Sequence, residues 1–597
     1  MLLYNCAKVG SPVGGPKDED PPVIIDSRPE NYSTEFNVNK IELTFNEFIQ
    51  LKNILNELIT SPPFDETPLT KLKGKSLVIE LNNDLKDSTT YTLNFGNAIV
   101  DNNEGNPLSN FEFVFSTGDH VDSLSVTGKL VDAFNLQADK EPVFIMIYDN
   151  LKDSVPYLEI PSYIGKTNQD GTFAINNIKS DTFRIFALKD ANSNLLFDQN
   201  SEYISFIDTP FIISPELIET ADYYLADSLI NIDSIAIDPL LQDFIIDSIT
   251  GDTMLIEKKI KYALHVNMFL FQEENEFQYL TGKERITREK IMFTFKHSLY
   301  DSLSIIPRNF TYDNEWFLEE KSASDDTVIC WIRDTAISNM DTISLQLKYT
   351  IIDSLKNYVT QIDTVDLRFR EPKEKSKPGK KSKNTQDEVE KEKYLNLKLN
   401  INNGGTIDLN EFIRIITEKP ITSYSDSLIN IFKIEDTIEI NQQFDLIKDT
   451  GKLRNYKIIN KWEENTKYKL LIKPKTFTDM YGLSNDTILL NFSTQKSDYY
   501  GSIILTVENV ASPLIIQLLD SKENILKEKY TSQSSSIKFG FLKPKGYKLK
   551  VVYDNNNNLV WDTGNYLKKL QPEKVSYYKD EINVRSNWDV EINWVIE

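Results

Sequence analysis

Apolar and polar residues alternate along most of the chain, and this alternation predicts β-strands. From Leu395 to Ile401 every second residue is Leu or Ile, with Asn or Lys between them, and Ile343 to Tyr349 shows the same alternation. Successive side chains of a strand point to opposite faces, so each run indicates a strand with one face on a core. Short clusters of Asn, Asp, Gly and Ser separate the runs, and long amphipathic helices are not evident. The pattern predicts an all-β fold of tandem β-sandwich modules with little helix.

One pair of strands and its connecting loop occurs twice at the same spacing. Tyr91 precedes Phe115 by 24 residues, and Tyr468 precedes Phe492 by 24 residues. Both phenylalanines begin the sequence Phe-Ser-Thr. We interpret the two segments as copies of one module, called A and A′.

A second repeat contains two loops that are rich in Asp and Asn. The first runs from Asp190 to Asp198 and the second from Asp554 to Asp562, and both have the pattern Asp-x-Asn-x-Asn-x-x-aromatic-Asp. An aromatic residue, Phe183 or Tyr547, lies seven residues before each loop. We interpret these segments as copies of a second module, called B and B′.

The segment 371–393 differs from the rest of the chain. It contains eight lysines and six acidic residues but only one aliphatic residue, Val389. Such a segment cannot bury apolar surface, which predicts a solvated linker or loop. A polybasic binding tract is the alternative, and the interleaved acidic residues disfavour it. The predicted order is a tether at 1–21, module A at 22–118, module B at 119–227, a middle β-sandwich at 228–370, the charged linker at 371–393, module A′ at 394–497 and module B′ at 498–597.

Charge and cysteine content exclude several classes of function. The chain has 90 acidic and 66 basic residues and a formal net charge of −24, so nucleic acid is not an expected partner. The only cysteines are Cys6 and Cys330, which rules out a disulfide framework, and Cys330 lies in an apolar strand where we expect a buried thiol. The three histidines are far apart in sequence, which gives no support for a zinc site or for histidine-based catalysis.

The first residues resemble the end of a bacterial lipoprotein signal. Leu3 lies three residues before Cys6, as in a lipobox, although Asn5 stands where a small residue is usual. The stretch after Cys6, rich in Gly and Pro, is typical of a flexible tether. Five residues before the cysteine are too few for a signal peptide, so we expect a start further upstream or a trimmed terminus. We predict a lipid on Cys6, and the alternative is an ordinary exposed thiol.

Further sequence marks connect the modules with known families. Module A resembles the S-layer-type bacterial immunoglobulin-like (Ig-like) domain through Pro21-Pro22, the strand at 41–48 and the Thr-Thr-Tyr and Phe-Ser-Thr sequences. Module B is similar to the carboxypeptidase-regulatory or transthyretin-like sandwich. Its marks are the segments 128–133, 168–173 and 183–188. The whole chain resembles the Ig-like-domain lipoproteins of Bacteroidota, in which a cysteine is followed by Gly-Gly-Pro-Lys-Asp, here residues 14–18.

The resemblance to Bacteroidota lipoproteins implies a lipid-anchored outer-membrane protein on the cell surface, or alternatively on the periplasmic face. It also implies a non-catalytic scaffold that binds outer-membrane or other envelope proteins. An accessory subunit of an assembly such as the barrel-assembly or secretion machinery fits this description. Such a role requires no cofactor.

The two Asp/Asn loops are the constellation that suggests chemistry. Oxygen-bearing side chains stand at positions one, three, five and nine, a spacing that suits a hard cation such as calcium. An EF-hand loop has Gly at position six and Glu at position twelve. Here Leu195 or Leu559 stands at position six, Asn565 stands at position twelve of the second loop, and Glu202 comes one position late in the first. The alternative is an Asx-rich turn with Phe197 or Trp561 packed back on the sandwich. The candidate calcium ligands are Asp190, Asn192, Asn194, Asp198, Asp554, Asn556, Asn558 and Asp562.

Two other functional classes are less favoured. Exposed tryptophans such as Trp316, Trp331 or Trp588 would form a platform for glycan stacking, but we expect most of them in the core, because Trp588 lies in an alternating strand. A glycosidase-like pair of carboxylates can arise by chance among so many acidic residues. The sequence has no nucleophile elbow, phosphate loop or metal-histidine motif, so a hydrolase is the least favoured alternative.

Overall fold

The computed structural model describes residues 18–82, 84–214, 263–274, 277–312, 315–353, 357–369 and 394–596. Within these ranges almost all regular structure is β, and the three α-helices have four residues each. The predicted all-β fold is confirmed. No helix in these ranges is long and apolar enough to cross a membrane. Cys6 and the charged linker at 371–393 lie outside the described residues.

The chain divides into two compact units. The first unit comprises residues 1–274, 512–516 and 550–577, and the second comprises 275–511, 517–549 and 578–597. Modules A and B belong to the first unit. The strands of the middle region and of module A′ belong to the second unit, and module B′ contributes residues to both.

Module A packs antiparallel sheets around a core rich in phenylalanine. Its elements are β1 (Ile24–Arg28), β2 (Lys40–Phe45), β3 (Ile49–Leu51), α1 (Ile54–Glu57), β4 (Ile59–Ser61), β5 (Leu69–Lys73), β6 (Ser76–Glu80), β7 (Thr90–Asn94), β8 (Ile99–Asp101) and β9 (Glu112–Ser116). The sheets run β1-β2-β6-β5 and β4-β7-β9, and β3 pairs with β8. Phe45, Phe95, Phe113 and Phe115 are fully buried in the core.

Module B continues past the predicted boundary at residue 227. Its elements are β10 (Leu124–Asp132), β11 (Phe144–Tyr148), α2 (Val155–Leu158), β12 (Tyr163–Lys166), β13 (Thr172–Ile178), β14 (Asp181–Lys189), β15 (Tyr203–Phe206), β16 (Phe211–Ile213) and β17 (Ala263–Gln272). The sheet order is β12-β11-β14-β15-β17-β10-β13, and β16 pairs with β14. β17 pairs in parallel with β10, so residues 263–272 belong to module B although the sequence assigned them to the middle region. The core of module B includes Val266, Met268 and Leu270 from this strand, and their burial explains the pairing.

The middle region forms a sandwich of its own. Its elements are β18 (Leu280–Arg285), β19 (Lys290–Phe295), β20 (Ser304–Pro307), β21 (Phe317–Lys321), β22 (Thr327–Ile332), α3 (Thr335–Ser338), β23 (Thr342–Ile352) and β24 (Tyr358–Arg368). The sheets run β18-β19-β22-β21 and β20-β23-β24. Cys330 is a free, fully buried thiol in this core, as predicted, and burial raises its pKa.

Module A′ repeats the architecture of module A. Its elements are β25 (Leu397–Leu399), β26 (Gly405–Ile407), β27 (Ile413–Thr417), β28 (Ile421–Tyr424), β29 (Ile429–Glu435), β30 (Ile438–Gln442), β31 (Asp445–Lys448), β32 (Asn455–Ile459), β33 (Lys467–Ile472), β34 (Phe477–Asp479) and β35 (Ile488–Thr494), with 3₁₀ turns at Asp426–Leu428 and Ser497–Tyr499. The sheets run β25-β27-β32-β31 and β26-β35-β33-β29-β30, and β28 pairs with β34.

The spacing of 24 residues reflects a cross-strand pair. Tyr91 lies opposite Phe115 with ring centroids 5.3 Å apart, and Tyr468 lies opposite Phe492 with centroids 5.5 Å apart. The hydroxyl of each tyrosine accepts a hydrogen bond from a backbone N–H five residues upstream, on Lys86 at 2.8 Å and on Glu463 at 3.0 Å. This is a tyrosine corner like those of Ig-type sandwiches, and modules A and A′ share it.

Module B′ repeats the strand pairing of module B. Its strands are β36 (Gly501–Glu508), β37 (Leu514–Leu519), β38 (Ile525–Thr531), β39 (Ser535–Leu542), β40 (Gly546–Tyr553), β41 (Val575–Tyr577), β42 (Ile582–Asn583) and β43 (Asp589–Val595). β36 pairs antiparallel with β39 and parallel with β43, as β10 pairs with β13 and β17.

Candidate functional site: the two Asp/Asn loops

The first loop is organised by Asp190 at the end of β14. One carboxylate oxygen accepts hydrogen bonds from the backbone N–H groups of Asn192 at 3.0 Å and Ser193 at 2.7 Å. The other oxygen accepts from the backbone of Leu195 at 2.7 Å. The chain must turn sharply to bring three N–H groups to one carboxylate, and Ser193 and Leu195 both have positive φ, 62° and 59°.

The other predicted ligands of this loop are brought together around Asp198. The side-chain amides of Asn192 and Asn194 donate to its two oxygens at 3.1 and 2.8 Å. All four residues predicted for the first site are therefore in one hydrogen-bonded cluster. The amide nitrogens, which are donors, face the closing carboxylate.

The second loop has a similar arrangement, with different backbone partners on its first aspartate. Asp554 accepts hydrogen bonds from the backbone of Asn558 at 3.0 Å and Leu559 at 2.9 Å. The amides of Asn556 and Asn558 donate to one oxygen of Asp562 at 2.6 and 2.8 Å. Leu559, at position six, has φ 68°, so a leucine adopts the left-handed conformation that glycine supplies in an EF-hand loop.

A buried glutamate closes each loop, and the sequence did not assign either to its loop: Glu202 was noted only as one position late for an EF-hand ligand, and Glu573 was not noted. Glu202 is 1% exposed and accepts backbone hydrogen bonds from Ala191 at 3.2 Å and from Asp198 and Gln199 at 3.0 Å. In the second loop Glu573 accepts from Asn555 at 2.8 Å and from Asp562 at 3.2 Å. Glu202 follows Asp198 by four residues whereas Glu573 follows Asp562 by eleven, so no common spacing reveals them.

The charge environment of Glu573 is unfavourable for a carboxylate. Burial raises its pKa above the usual value of a glutamate, and the carboxylates of Asp562 and Asp554 raise it further. The backbone N–H groups of Asn555 and Asp562 act in the opposite direction. Burial and the two aspartates therefore favour the protonated form of Glu573, whereas the two backbone N–H groups favour the ionised form.

The loops combine only oxygen ligands, which is the chemistry that calcium prefers. In the structure, however, the aspartate oxygens already accept N–H hydrogen bonds, and the asparagine amides would have to rotate to turn their oxygens toward an ion. Among the described residues no group of three or more His, Cys, Asp or Glu side chains is placed to hold a metal. These hydrogen bonds favour the Asx-rich turn over calcium binding.

The aromatic residues of the two loops have different surroundings. Phe197 is buried within module B beside Tyr157, with ring centroids 5.5 Å apart. Trp561 contacts the other copy of the module, because its ring meets Phe134 of module B edge-on at 5.0 Å. The predicted packing of the aromatic residue on its own sandwich describes both loops, because Trp561 also packs on Ile515, Val552 and Val575 of B′. Trp561 in addition connects B′ to B.

The segment after the second loop docks on module B around Tyr566. This side chain is 1% exposed and packs edge-on against Phe186 and Phe206, with centroids 5.3 and 4.9 Å away. Its hydroxyl donates to the backbone oxygen of Asp153 at 2.9 Å, and its backbone N–H donates to Glu273 at 2.6 Å. Modules B and B′ therefore share a core within the first unit.

The three tryptophans proposed for glycan stacking do not form a platform. Trp316 and Trp331 are 4% and 2% exposed in the core of the second unit. Trp588 is 60% exposed, which corrects the expectation that it is buried. It lies just before β43, where the alternating pattern had not yet begun.

Residues 18–117 match the model of the family described as bacterial Ig-like domain. No curated protein matches the chain closely enough to count as a relative. The match covers module A, and together with the observed sheets it supports Ig-like β-sandwich modules.

Several solved structures are similar to the chain over much of its length. They include the S-layer protein SbsC (10% identity, 94% of this chain and 67% of that chain, TM-score 0.12). The major pilin subunit of Bacillus cereus is similar at 9% identity, over 80% of this chain and 99% of that chain, with a TM-score of 0.13. The Bacteroides ovatus protein SGBP-B of a mixed-linkage glucan utilization locus is similar at 8% identity, over 78% and 91%, with a TM-score of 0.16. TM-scores this low carry no functional argument.

We expect the buried glutamates of the two loops to differ in their contribution to the free energy of unfolding. The backbone donors of Ala191, Asp198 and Gln199 are divided between the two oxygens of Glu202, so Glu202→Gln places an NH₂ group against at least one of them. An unsatisfied buried donor costs about 1–3 kcal/mol of unfolding free energy. Glu573→Gln should cost less, because it also removes a charge that Asp562 and Asp554 oppose. Urea denaturation of the full chain measures both, with exposed Glu30→Gln as the control. If all three variants lost the same free energy of unfolding, Glu202 and Glu573 would not stabilise the loops as described.

Calcium is tested by the melting temperature of the full chain. We expect the same value in EDTA and in millimolar calcium, because backbone and amide N–H groups already occupy the loop oxygens. A ligand that binds only the folded state must raise the melting temperature. A rise with calcium that is absent in the variant Asp198→Asn would contradict this expectation and establish a site in the first loop.

The packing of Tyr566 gives a third prediction. Tyr566→Ala should lower the free energy of unfolding by about 3–5 kcal/mol, as removal of a buried aromatic ring does. Tyr566→Phe keeps the ring and loses one hydrogen bond, so about 0.5–1.5 kcal/mol is expected. Calorimetry of the full chain measures both losses, with Tyr530→Ala as the control because that side chain is half exposed. If Tyr530→Ala and Tyr566→Ala lowered the free energy of unfolding equally, the result would contradict a core shared by modules B and B′.

Proposed function

We propose that this chain is a non-catalytic scaffold of the bacterial envelope. A lipid on Cys6 anchors it to the outer membrane, with the modules on the cell surface. There it binds outer-membrane proteins as an accessory subunit of an assembly such as the barrel-assembly or secretion machinery. The lipobox-like start and the resemblance to Bacteroidota lipoproteins support the anchor, and contacts between neighbouring modules support the scaffold role.

The observation that carries the proposal is that neighbouring modules are joined by specific contacts within each unit. In the first unit the amide of Asn177 donates to the hydroxyl of Thr92 at 3.0 Å, which joins B to A. Tyr566 joins B′ to B. A scaffold has to hold its binding surfaces in fixed positions, and contacts of this kind reduce the freedom between modules.

The second unit has a buried ionic junction between the middle sandwich and module A′. Arg454 of A′ donates to Glu320 at 2.8 Å, and the indole N–H of Trp331 donates to the same carboxylate at 2.8 Å. Glu320 is 8% exposed, and the guanidinium of Arg454 lies 5.4 Å from the Trp331 ring. Charge, hydrogen bond and cation–π contact coincide, which favours one fixed arrangement of these two modules.

The acidic residues support a structural role more than a catalytic one. Asp190 and Asp554 accept backbone hydrogen bonds. Asp198 and Asp562 accept from the asparagine amides of their loops, so all four carboxylates stabilise the turns that contain them. A general acid or base needs a free oxygen directed at a substrate. The loops therefore do not favour the hydrolase alternative.

The proposal is tested by expressing the tagged chain in its native host and fractionating the envelope. We expect the wild-type chain in the outer-membrane fraction together with outer-membrane proteins, identified by mass spectrometry after affinity purification. Cys6→Ala should move the chain to the soluble fraction, because the anchor is lost. Cys330→Ala is the matched control, since it removes the other cysteine, which is buried, and should leave the distribution unchanged.

Two outcomes would contradict the proposal. If the Cys6→Ala variant stayed in the membrane fraction, the proposed lipid anchor on Cys6 would be wrong. Purification of the wild-type chain as a free monomer, without envelope proteins, would remove the scaffold role.

A further inference from the structure

A polar cleft of about 560 Å³ lies between modules A and B, inside the first unit. Module A lines it with residues of β4, β7 and β9, and module B lines it with residues of β12, β13 and the turn between them. Small-molecule sites have volumes of about 300–1,000 Å³ and occur preferentially at domain interfaces. Size and position therefore both suit a ligand site.

Hydrogen bonds between the two modules fix the base of the cleft. The backbone N–H of Ile164 donates to the hydroxyl of Ser61 at 3.1 Å, and Ser61 is buried. The amide of Asn176 donates to both oxygens of Glu112 at 3.3 and 3.2 Å. The two walls are thereby held together before any ligand arrives, so the cleft is a preformed site.

Side-chain amides are the most frequent polar groups among the described lining residues. Six of them contribute to the cleft: Asn94, Asn97, Asn110, Asn168, Gln169 and Asn176. Asn97, Asn110 and Gln169 are exposed, and their side-chain amides make no hydrogen bond with any residue that the structure describes. Each of these three amides offers an acceptor oxygen and a donor NH₂ group to a ligand.

The charges of the cleft disfavour an anion. Glu57 and Glu112 line it, and Lys166 is the one cationic side chain among the lining residues that the structure describes. The ammonium of Lys166 donates to the backbone oxygen of Asn56 and so belongs to the junction of the two modules. The lining residues that the structure describes are polar or aliphatic, so hydrogen bonds are the contacts they offer to a ligand.

We propose that this cleft binds a neutral glycan, whose hydroxyl groups are recognised by the amides of Asn97, Asn110 and Gln169. A sugar hydroxyl both donates and accepts a hydrogen bond, and neighbouring hydroxyls present the two functions side by side. A planar amide offers the complementary pair, whereas a carboxylate or an ammonium offers only one of the two functions. The three amides, the excess of acidic over basic side chains in the described lining and the preformed walls all favour a neutral glycan.

The test measures binding of maltohexaose, cellohexaose, xylohexaose and mannohexaose to the full chain by isothermal titration calorimetry. A second arm uses delipidated O-polysaccharide from the host, which separates a free oligosaccharide from a glycan of the envelope itself. We expect binding in at least one arm. The double variant Asn97→Ala/Gln169→Ala should weaken it about tenfold, since each lost hydrogen bond is worth roughly a threefold change.

A blocking variant and a matched control make the test specific. Asn97→Trp fills the mouth of the cleft from an exposed position and should abolish binding without unfolding the chain. Gln533→Ala removes an exposed amide in the second unit and should leave binding unchanged. The proposal is overturned if no saccharide binds in either arm at millimolar concentration. It is equally overturned if Asn97→Trp binds as the wild type does.

Discussion

Carboxylates that accept backbone N–H groups hold the turns of this fold, and the strands depend on those turns. An all-β chain reverses direction at the end of every strand, and the N–H groups of a tight turn have no ladder partner. Asp101 accepts hydrogen bonds from four successive residues, 103 to 106, in module A. Although burial acts to raise the pKa of Asp101, these four bonds lower it to about 2, so the carboxylate stays ionised. Asp479 caps the matching turn of A′, and Asp190 and Asp554 do the same in the Asp/Asn loops.

This constraint gives the acidic composition a structural reason. A protein with a net charge of −24 pays electrostatic repulsion on folding. Part of that cost is offset because many acids replace water as partners of otherwise unpaired N–H groups. Glu202 and Glu573 show the same principle from outside the turn, since each accepts from residues on both sides of its loop.

Local patterns predicted a large part of the fold, and contacts between distant segments account for the rest. The spacing from Tyr91 to Phe115 was visible in the sequence because both residues lie on adjacent strands of one hairpin-like unit. The pairing of β17 with β10 was not visible, since a parallel partner arrives from a distant part of the chain. For the candidate loops, the clustering of Asp and Asn was predictable from alternation. The buried glutamates were not, because they close the loops from different distances along the chain.

The two Asp/Asn loops show that one sequence motif can have two different structural surroundings. Both loops share the hydrogen bond from the leucine N–H at position six to the first aspartate and those from the two asparagine amides to the last aspartate. The motif therefore specifies a turn of the same kind in both modules. The difference lies in the residues that follow. After the second loop, Gly564 approaches Phe271 of module B so closely that a Cβ atom would lie 2.6 Å from the ring. Only a glycine allows this approach, and two residues later Tyr566 enters the aromatic core of module B. In B′ the turn is therefore followed by a segment that docks on module B through Tyr566. In B the corresponding turn places Phe197 in the core of its own module.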